Sequence, residues 1–210
     1  QIVDKAHISD GVFDIFDAAG IKRPEVSILS EEFLAEIRGL DRKNLALELL
    51  KKLLTNEIDK VKSKNIVLGR KFSEMLDKVL KRYHANILTA AEIIEEMIGV
   101  ARELRGESER AIKLGLQDYE MAFYDALADN ESAQEVLGQK TLRELACVLV
   151  DKVKENISID WTIRESARAK LRVMIKRTLN KFGYPPDMQK LATELILKQA
   201  ELHANGVFKN

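Results

Sequence analysis

Apolar positions recur at helical spacing along almost the whole chain, and no stretch alternates apolar with polar residues for long enough to build a sheet. The clearest stripe lies in "RKNLALELLKKLLTNEIDKVKSK", where Leu45, Leu49, Leu50, Leu53, Leu54, Ile58 and Val61 return to one face and leave charged residues on the other. Such a stripe needs a partner helix or a core to cover it. Upstream, Ser30 is a candidate N-cap for "EEFLAEIR", with Leu29 and Leu34 spaced as a hydrophobic staple and Gly39 as the stop. Asp41 is expected to open the leucine-rich helix.

A third helix is expected in "GRKFSEMLDKVLKRY", with Phe72, Met75, Leu76, Val79 and Leu80 inward. Thr89 and Glu92 have capping-box spacing, and Leu88 with Ile93 fits a staple. A long helix should therefore run from Thr89 toward Lys113, with Gly106 a candidate break and Gly115 its stop. "QDYEMAFYDALAD" and "ESAQEVLG" predict two short helices joined near Asn130, and Thr141 to Asn156 predicts another. The next helix begins either at Asp160 or at a Thr162 and Glu165 capping box, and Gly183 stops it. Pro185 and Pro186 then force a turn before a last helix in "DMQKLATELILKQAELHA". The expectation is an all-α multi-helix bundle of about eight to nine helices, folded as one unit or as two helical lobes.

Composition agrees with this class. At 210 residues, 46% hydrophobic and 32% charged, the chain can bury a sizeable core and does not have the profile of a disordered segment. Three prolines and ten glycines leave room for long helices. Cys147, the single cysteine, sits in the apolar "LACVLV" and cannot staple the fold internally. It is expected to serve as a small buried hydrophobe in a reducing cytoplasm rather than as a nucleophile. No apolar run approaches the ~20 residues of a membrane span, and no secretory leader is visible, so a membrane partner is not expected. The chain begins at Gln1 rather than Met, and we expect it to be a piece of a longer protein.

Recognisable catalytic chemistry is sparse. His7, His84 and His203 lie far apart in sequence and match no zinc-ligand spacing. Neither GxGxxG nor GxxxxGK occurs, so no phosphate cradle is expected. Pro24, Glu25, Asp41 and Lys43 resemble the acidic pair and Asp-x-Lys of a restriction nuclease, but Asp41 is explained by capping and the nuclease reading is set aside. No catalytic residue, metal or cofactor is therefore expected in this chain.

Charge is distributed more informatively. The whole chain has 34 basic and 34 acidic residues, yet Trp161 to Phe182 holds seven Lys or Arg against one Glu. Arg164, Arg168, Arg172 and Lys176 are spaced by four, and Lys170, Arg177 and Lys181 widen the array; Ile163, Ala167, Leu171, Ile175 and Leu179 supply an inward seam between Trp161 and Phe182. Such a surface could neutralise nucleic-acid phosphates or meet an acidic protein. Gln117 to Gly138 carries six carboxylates and no Lys or Arg. If the two blocks face each other the stripe is an internal ion-pair network; if they lie apart the protein has a positive and a negative pole. Tyr119, Phe123 and Tyr124 could stack on bases, although their helical spacing suits a core edge better.

"NLALELLKKLL", "RKFSEML", "AFYDAL" and above all "IDWTIRESARAKLRVMIKRTLNKFGYPP" resemble the carboxy-terminal helical region of the motor and nuclease (R) subunit of type I restriction enzymes. "VFDIFDAAGIKRPEVSILSEEFL" is similar to the segment leading out of that subunit's helicase domains. The resemblance implies a lead-in over residues 1–40 and an assembly domain over 41–210. It places the nuclease and the ATP-driven, Mg²⁺-dependent translocase of the parent subunit outside this chain. It also implies docking onto the methyltransferase and specificity subunits and a contact with DNA. A stand-alone non-specific DNA-binding module and a structural spacer with internally paired charges remain the alternatives.

Overall fold

A computed structural model describes residues 29–157, 161–162 and 164–204, the Ser108 side chain excepted. Expectations that fall on His7, Pro24, Glu25, Asp160 and Ile163 lie outside the described residues. The described chain is all α: α1 Glu31–Gly39, α2 Lys43–Lys62, α3 Ile66–His84, α4 Ala90–Leu114, α5 Asp118–Ala128, α6 Glu131–Asn156, α7 Glu165–Lys181 and α8 Gln189–Ala204. It divides into two compact units, residues 29–59 with 71–108 and residues 60–70 with 109–204.

In the first unit the caps form largely as the sequence predicts. Ser30 Oγ accepts the Phe33 N–H at 3.3 Å, with Leu29 and Leu34 both buried. Thr89 and Glu92 complete the capping box: the Thr89 N–H donates to Glu92 Oε2 at 2.8 Å, and the Glu92 N–H to Thr89 Oγ1 at 3.3 Å. Glu31 accepts from Arg102 and Arg105 and Arg38 pairs with Glu95, tying α1 to α4 at the surface. The leucine stripe of α2 is buried at Leu49, Leu50, Leu53, Leu54 and Ile58, while Leu45 and Val61 are half-buried. Two expectations need correction. The Arg42 carbonyl accepts the first intrahelical bonds, from Leu45 and Ala46, so Arg42 holds the N-cap position of α2 and Asp41 precedes it. Gly106 does not break α4, because the tertiary packing of a 25-residue helix overrides the modest helix cost of one glycine.

The second unit is built on α5 and α6, with α8 packed on α5 and on α7. Its core joins Phe123, Leu142, Leu145, Leu149, Trp161, Leu171, Ile175, Tyr184 and Ile196. α6 is bent at Gly138, whose φ of 69° falls where glycine is favoured, so the two segments expected there meet end to end. α7 stops at Gly183, φ 71°, where the Tyr184 N–H reaches back to the Leu179 carbonyl at 3.0 Å. Tyr184 is then buried with its hydroxyl donating to the Leu127 carbonyl at 2.9 Å.

The turn before α3 is held by polar side chains. Asn65, not the expected Gly69, opens α3: its Oδ1 accepts the Leu68 N–H at 3.0 Å, and its Nδ2 donates to the buried Asp125 at 2.6 Å. Arg110 pairs with the other Asp125 oxygen. From α8, Gln199 bridges the same turn, Oε1 accepting from the Ile66 N–H at 3.0 Å and Nε2 donating to the Lys64 carbonyl at 2.6 Å. Those two bonds fix which end of the amide is which. Gln199 Nε2 is therefore also the donor toward His203 Nε2 at 2.9 Å, and that ring nitrogen must carry a lone pair. Burial pushes the His203 pKa down, Asp118 opposing it in part, and His203 stacks on Phe123 as a neutral ring.

At Gly69 the backbone of α3 passes tightly against the end of α2, since a Cβ there would lie 2.5 Å from the Lys62 Cα. Gly69→Ala should therefore cost about 1–3 kcal/mol through backbone displacement, measured by urea denaturation. Below the ordinary histidine pKa near 6.5 the unfolded chain binds a proton that folded His203 resists. Stability should accordingly fall as pH drops from about 7 toward 5, and His203→Gln should flatten that dependence in urea midpoints taken across the range.

Candidate partner interface on the basic helix

α7 begins at Glu165 with Arg164 at its N-cap, in extended conformation and without a side-chain cap bond. The Thr162 capping box does not set the start of the helix: Thr162 lies in a turn, and the N-cap is Arg164, two residues beyond the position that box requires. Seventeen residues give a helix of about 25 Å. Leu171, Ile175, Thr178 and Leu179 are buried, with Ala167, Met174 and Phe182 half-buried beside them. At 100° per residue, Arg168 and Arg172 fall against the edge of this seam, so the i, i+4 stripe does not point outward as a unit.

The structure divides the predicted array accordingly. Arg172 Nε donates to Glu194 Oε1 at 2.9 Å, and Arg168 Nη2 lies 2.8 Å from Glu201 Oε1 as an ion contact without hydrogen-bond alignment. Both glutamates belong to α8. The Arg172 hydrogen bond holds the Glu194 carboxyl below its ordinary pKa, and Glu194 in turn raises that of Arg172. In the acidic segment, Asp118 pairs with Lys64, Asp125 with Arg110, and Asp129 with Arg70. At these residues the two charge blocks are neutralised by different partners rather than by each other.

Lys170, Lys176, Arg177 and Lys181 are exposed on α7 and form no ion pair among the described residues; Arg164 is exposed at its start. Between them the surface turns apolar, with Ala169 exposed and Val173 47% exposed. A depression of about 600 Å³, open to solvent, is lined by Lys152, Ala169, Lys170, Val173, Met174 and Arg177. Lys152 comes from α6, where its Nζ donates to Thr178 Oγ1 at 3.1 Å. Sequence reasoning missed Lys152 because no spacing within α6 announces a neighbour on α7. Val173 carries a signal in the sequence itself, as the one β-branched apolar residue on the polar side of the wheel.

The remaining candidates fall into structural places. Phe123 and Tyr124 are core residues, and the half-buried Tyr119 has the Lys154 ammonium 3.9 Å over its ring, so the aromatic trio offers no stacking platform. Cys147 is half-buried against the core, and burial pushes its thiol pKa up, with Glu120 acting in the same direction. Among the described residues no group of three or more His, Cys, Asp or Glu could hold a metal, and no helix is long and apolar enough to cross a membrane.

These features define an all-helical protein region that presents a basic, apolar-centred helix face. The chain belongs to the family described as type I restriction enzyme HindI endonuclease subunit-like, C-terminal, which matches residues 1–206. It is 35% identical over 201 residues to the type I restriction enzyme HindI endonuclease subunit of Haemophilus influenzae, covering 96% of this chain and 19% of that protein. It is 31% identical over 186 residues to the putative type I restriction enzyme MjaIXP endonuclease subunit of Methanocaldococcus jannaschii, covering 87% of this chain and 18% of that one. The chain thus spans about a fifth of the length of these curated relatives. No solved structure matches it.

Because the Arg172 and Glu194 side chains are partly solvated, their pairing should contribute little beside packing. Arg172→Ala should leave the urea midpoint nearly unchanged at neutral pH. Leu171→Ala, in the buried seam of the same helix, should cost about 2–5 kcal/mol in the same measurement.

Proposed function

We propose that this region is a non-catalytic assembly domain of a type I restriction endonuclease subunit, docking the motor-bearing subunit onto the methyltransferase and specificity subunits. The observation that carries the reading is the outward face of α7, where Lys170, Lys176, Arg177 and Lys181 stand without ion-pair partners among the described residues. A chain of zero net charge gains little from general nucleic-acid attraction, whereas a localised cationic face suits a complementary protein surface. Contact with passing DNA is the second role, through the same cations. The ATP and Mg²⁺ expected of the parent subunit enter no step proposed for this region.

A spacer reading has one observation in its favour: Arg168 and Arg172, the centre of the predicted stripe, are engaged by α8. It predicts no binding and little effect of salt.

The test uses the full endonuclease subunit, unmodified and with Lys170, Lys176, Arg177 and Lys181 changed to Glu, after circular dichroism confirms that both fold. Association with the methyltransferase complex and with duplex DNA is measured across a salt series. The assembly reading expects the variant to lose the methyltransferase complex. Loss of DNA alone, with a log-log salt slope of about −3 to −4 in the unmodified protein, would identify a DNA-binding module instead. Retention of both partners by the variant would move docking to another face, and failure of the unmodified subunit to bind either partner would leave the spacer reading standing.

A further inference from the structure

We infer that the depression on α7 receives an acidic amphipathic helix from a partner protein, one of whose apolar side chains enters the space over Val173 while its carboxylates meet Lys152, Lys170 and Arg177. The inference rests on the assembly reading above and names the surface and the chemistry of its partner.

The geometry is that of a helix waiting for a helix. Lys170, Val173, Met174 and Arg177 stand at i, i+3, i+4 and i+7, the four-residue diamond into which one side chain of a facing helix inserts. The base of that diamond is apolar, formed by Val173 and Met174 with Ala169 alongside. Its two ends along α7 are cationic, Lys170 and Arg177 being seven residues and therefore about 10 Å apart. Lys152 closes the side toward α6, held by its bond to Thr178. The depression, about 600 Å³ and open to solvent, fits a turn of helix rather than an enclosed small molecule.

Charge decides the sign of the partner. All three polar members of the lining are cations, and none of them forms an ion pair among the described residues. A basic or neutral helix would leave these charges desolvated without compensation, whereas Glu or Asp at positions two turns apart would pair with Lys170 and Arg177 at the rim. A phosphate backbone would satisfy the cations but would gain nothing from Val173, whose 47% exposure leaves an apolar surface at the centre of the site. The mixed chemistry therefore favours a protein helix over nucleic acid. By the same physics, Val173 is the position that separates the two: removing its apolar character should weaken docking of a helix and leave a phosphate contact untouched.

The experiment again uses the full endonuclease subunit, with Val173→Asn and with Lys170→Glu combined with Arg177→Glu. These residues are exposed on α7, and circular dichroism checks that the variants fold. Affinity for the methyltransferase complex and for a duplex DNA is measured for each, and a photo-crosslinking residue at position 173 captures whatever covers it. The expected result is a loss of about tenfold or more in affinity for the methyltransferase complex in both variants, unchanged DNA binding by Val173→Asn, and a crosslink to an acidic amphipathic helical segment. If the unmodified subunit associates but both variants associate equally well, the inference is overturned and the assembly reading stands on another face. A crosslink to DNA, or loss of DNA binding alone in the charge variant, overturns it in favour of a phosphate contact. If the unmodified subunit does not associate at all, the assembly reading fails and takes this inference with it.

Discussion

Asp125 is a carboxylate 5% exposed in the middle of α5, and the second unit is organised around satisfying it. Its two oxygens are divided between Asn65, at the start of α3, and Arg110, near the end of α4. A buried ion is stable only when its hydrogen-bonding capacity is met, so this one residue dictates where three helices may meet. Asn65 is committed twice, since the amide that donates to Asp125 also caps α3 through its oxygen. The local start of a helix and a long-range tertiary contact thereby become one event.

α8 is attached to the same turn from the other side. The Gln199 amide closes on the backbone at Lys64 and Ile66 much as a strand would, and His203 follows one helical turn later. With α8 placed, Glu194 and Glu201 are placed, and they engage Arg172 and Arg168. The rotation of α7 about its axis follows from two agreeing requirements, the apolar seam of Leu171, Ile175 and Leu179 and the two ion contacts. What remains outward is the set around Val173. The exposed face is thus a by-product of how the buried faces are satisfied, as expected when interiors are specified more tightly than surfaces.

The capping signals at Ser30 and at Thr89 with Glu92 were legible because they are local: donor and acceptor lie within three residues of each other, and no distant neighbour can change the geometry. The stops at Gly115 and Gly183 were legible for the same reason, a positive φ that glycine adopts without strain. At Gly138 the local signal predicts an end where the structure has a bend inside one helix, because the alignment of the two pieces depends on packing. The start of α2 was misplaced at Asp41 because a capping residue type describes a preference, while the carbonyl that accepts first, that of Arg42, is chosen by the whole helix. At α3 the local signal is Asn65, an Asn directly before an apolar run, rather than Gly69.

The sequence alone determined the helical class, the approximate positions of the helices, the inward faces and the concentration of positive charge between Trp161 and Phe182, since each follows from composition or from periodicity within one segment. The relation of that charge to the rest of the molecule was open. Tertiary structure decided that Arg168 and Arg172 turn to α8, that the acidic carboxylates Asp118, Asp125 and Asp129 pair with Lys64, Arg110 and Arg70, and that Lys152 joins Lys170 and Arg177 around an apolar centre. The physical reason is range. Backbone preference and amphipathicity act over a helical turn, whereas the partner of a charged side chain is whichever opposite charge the packed fold brings within a few ångströms of it.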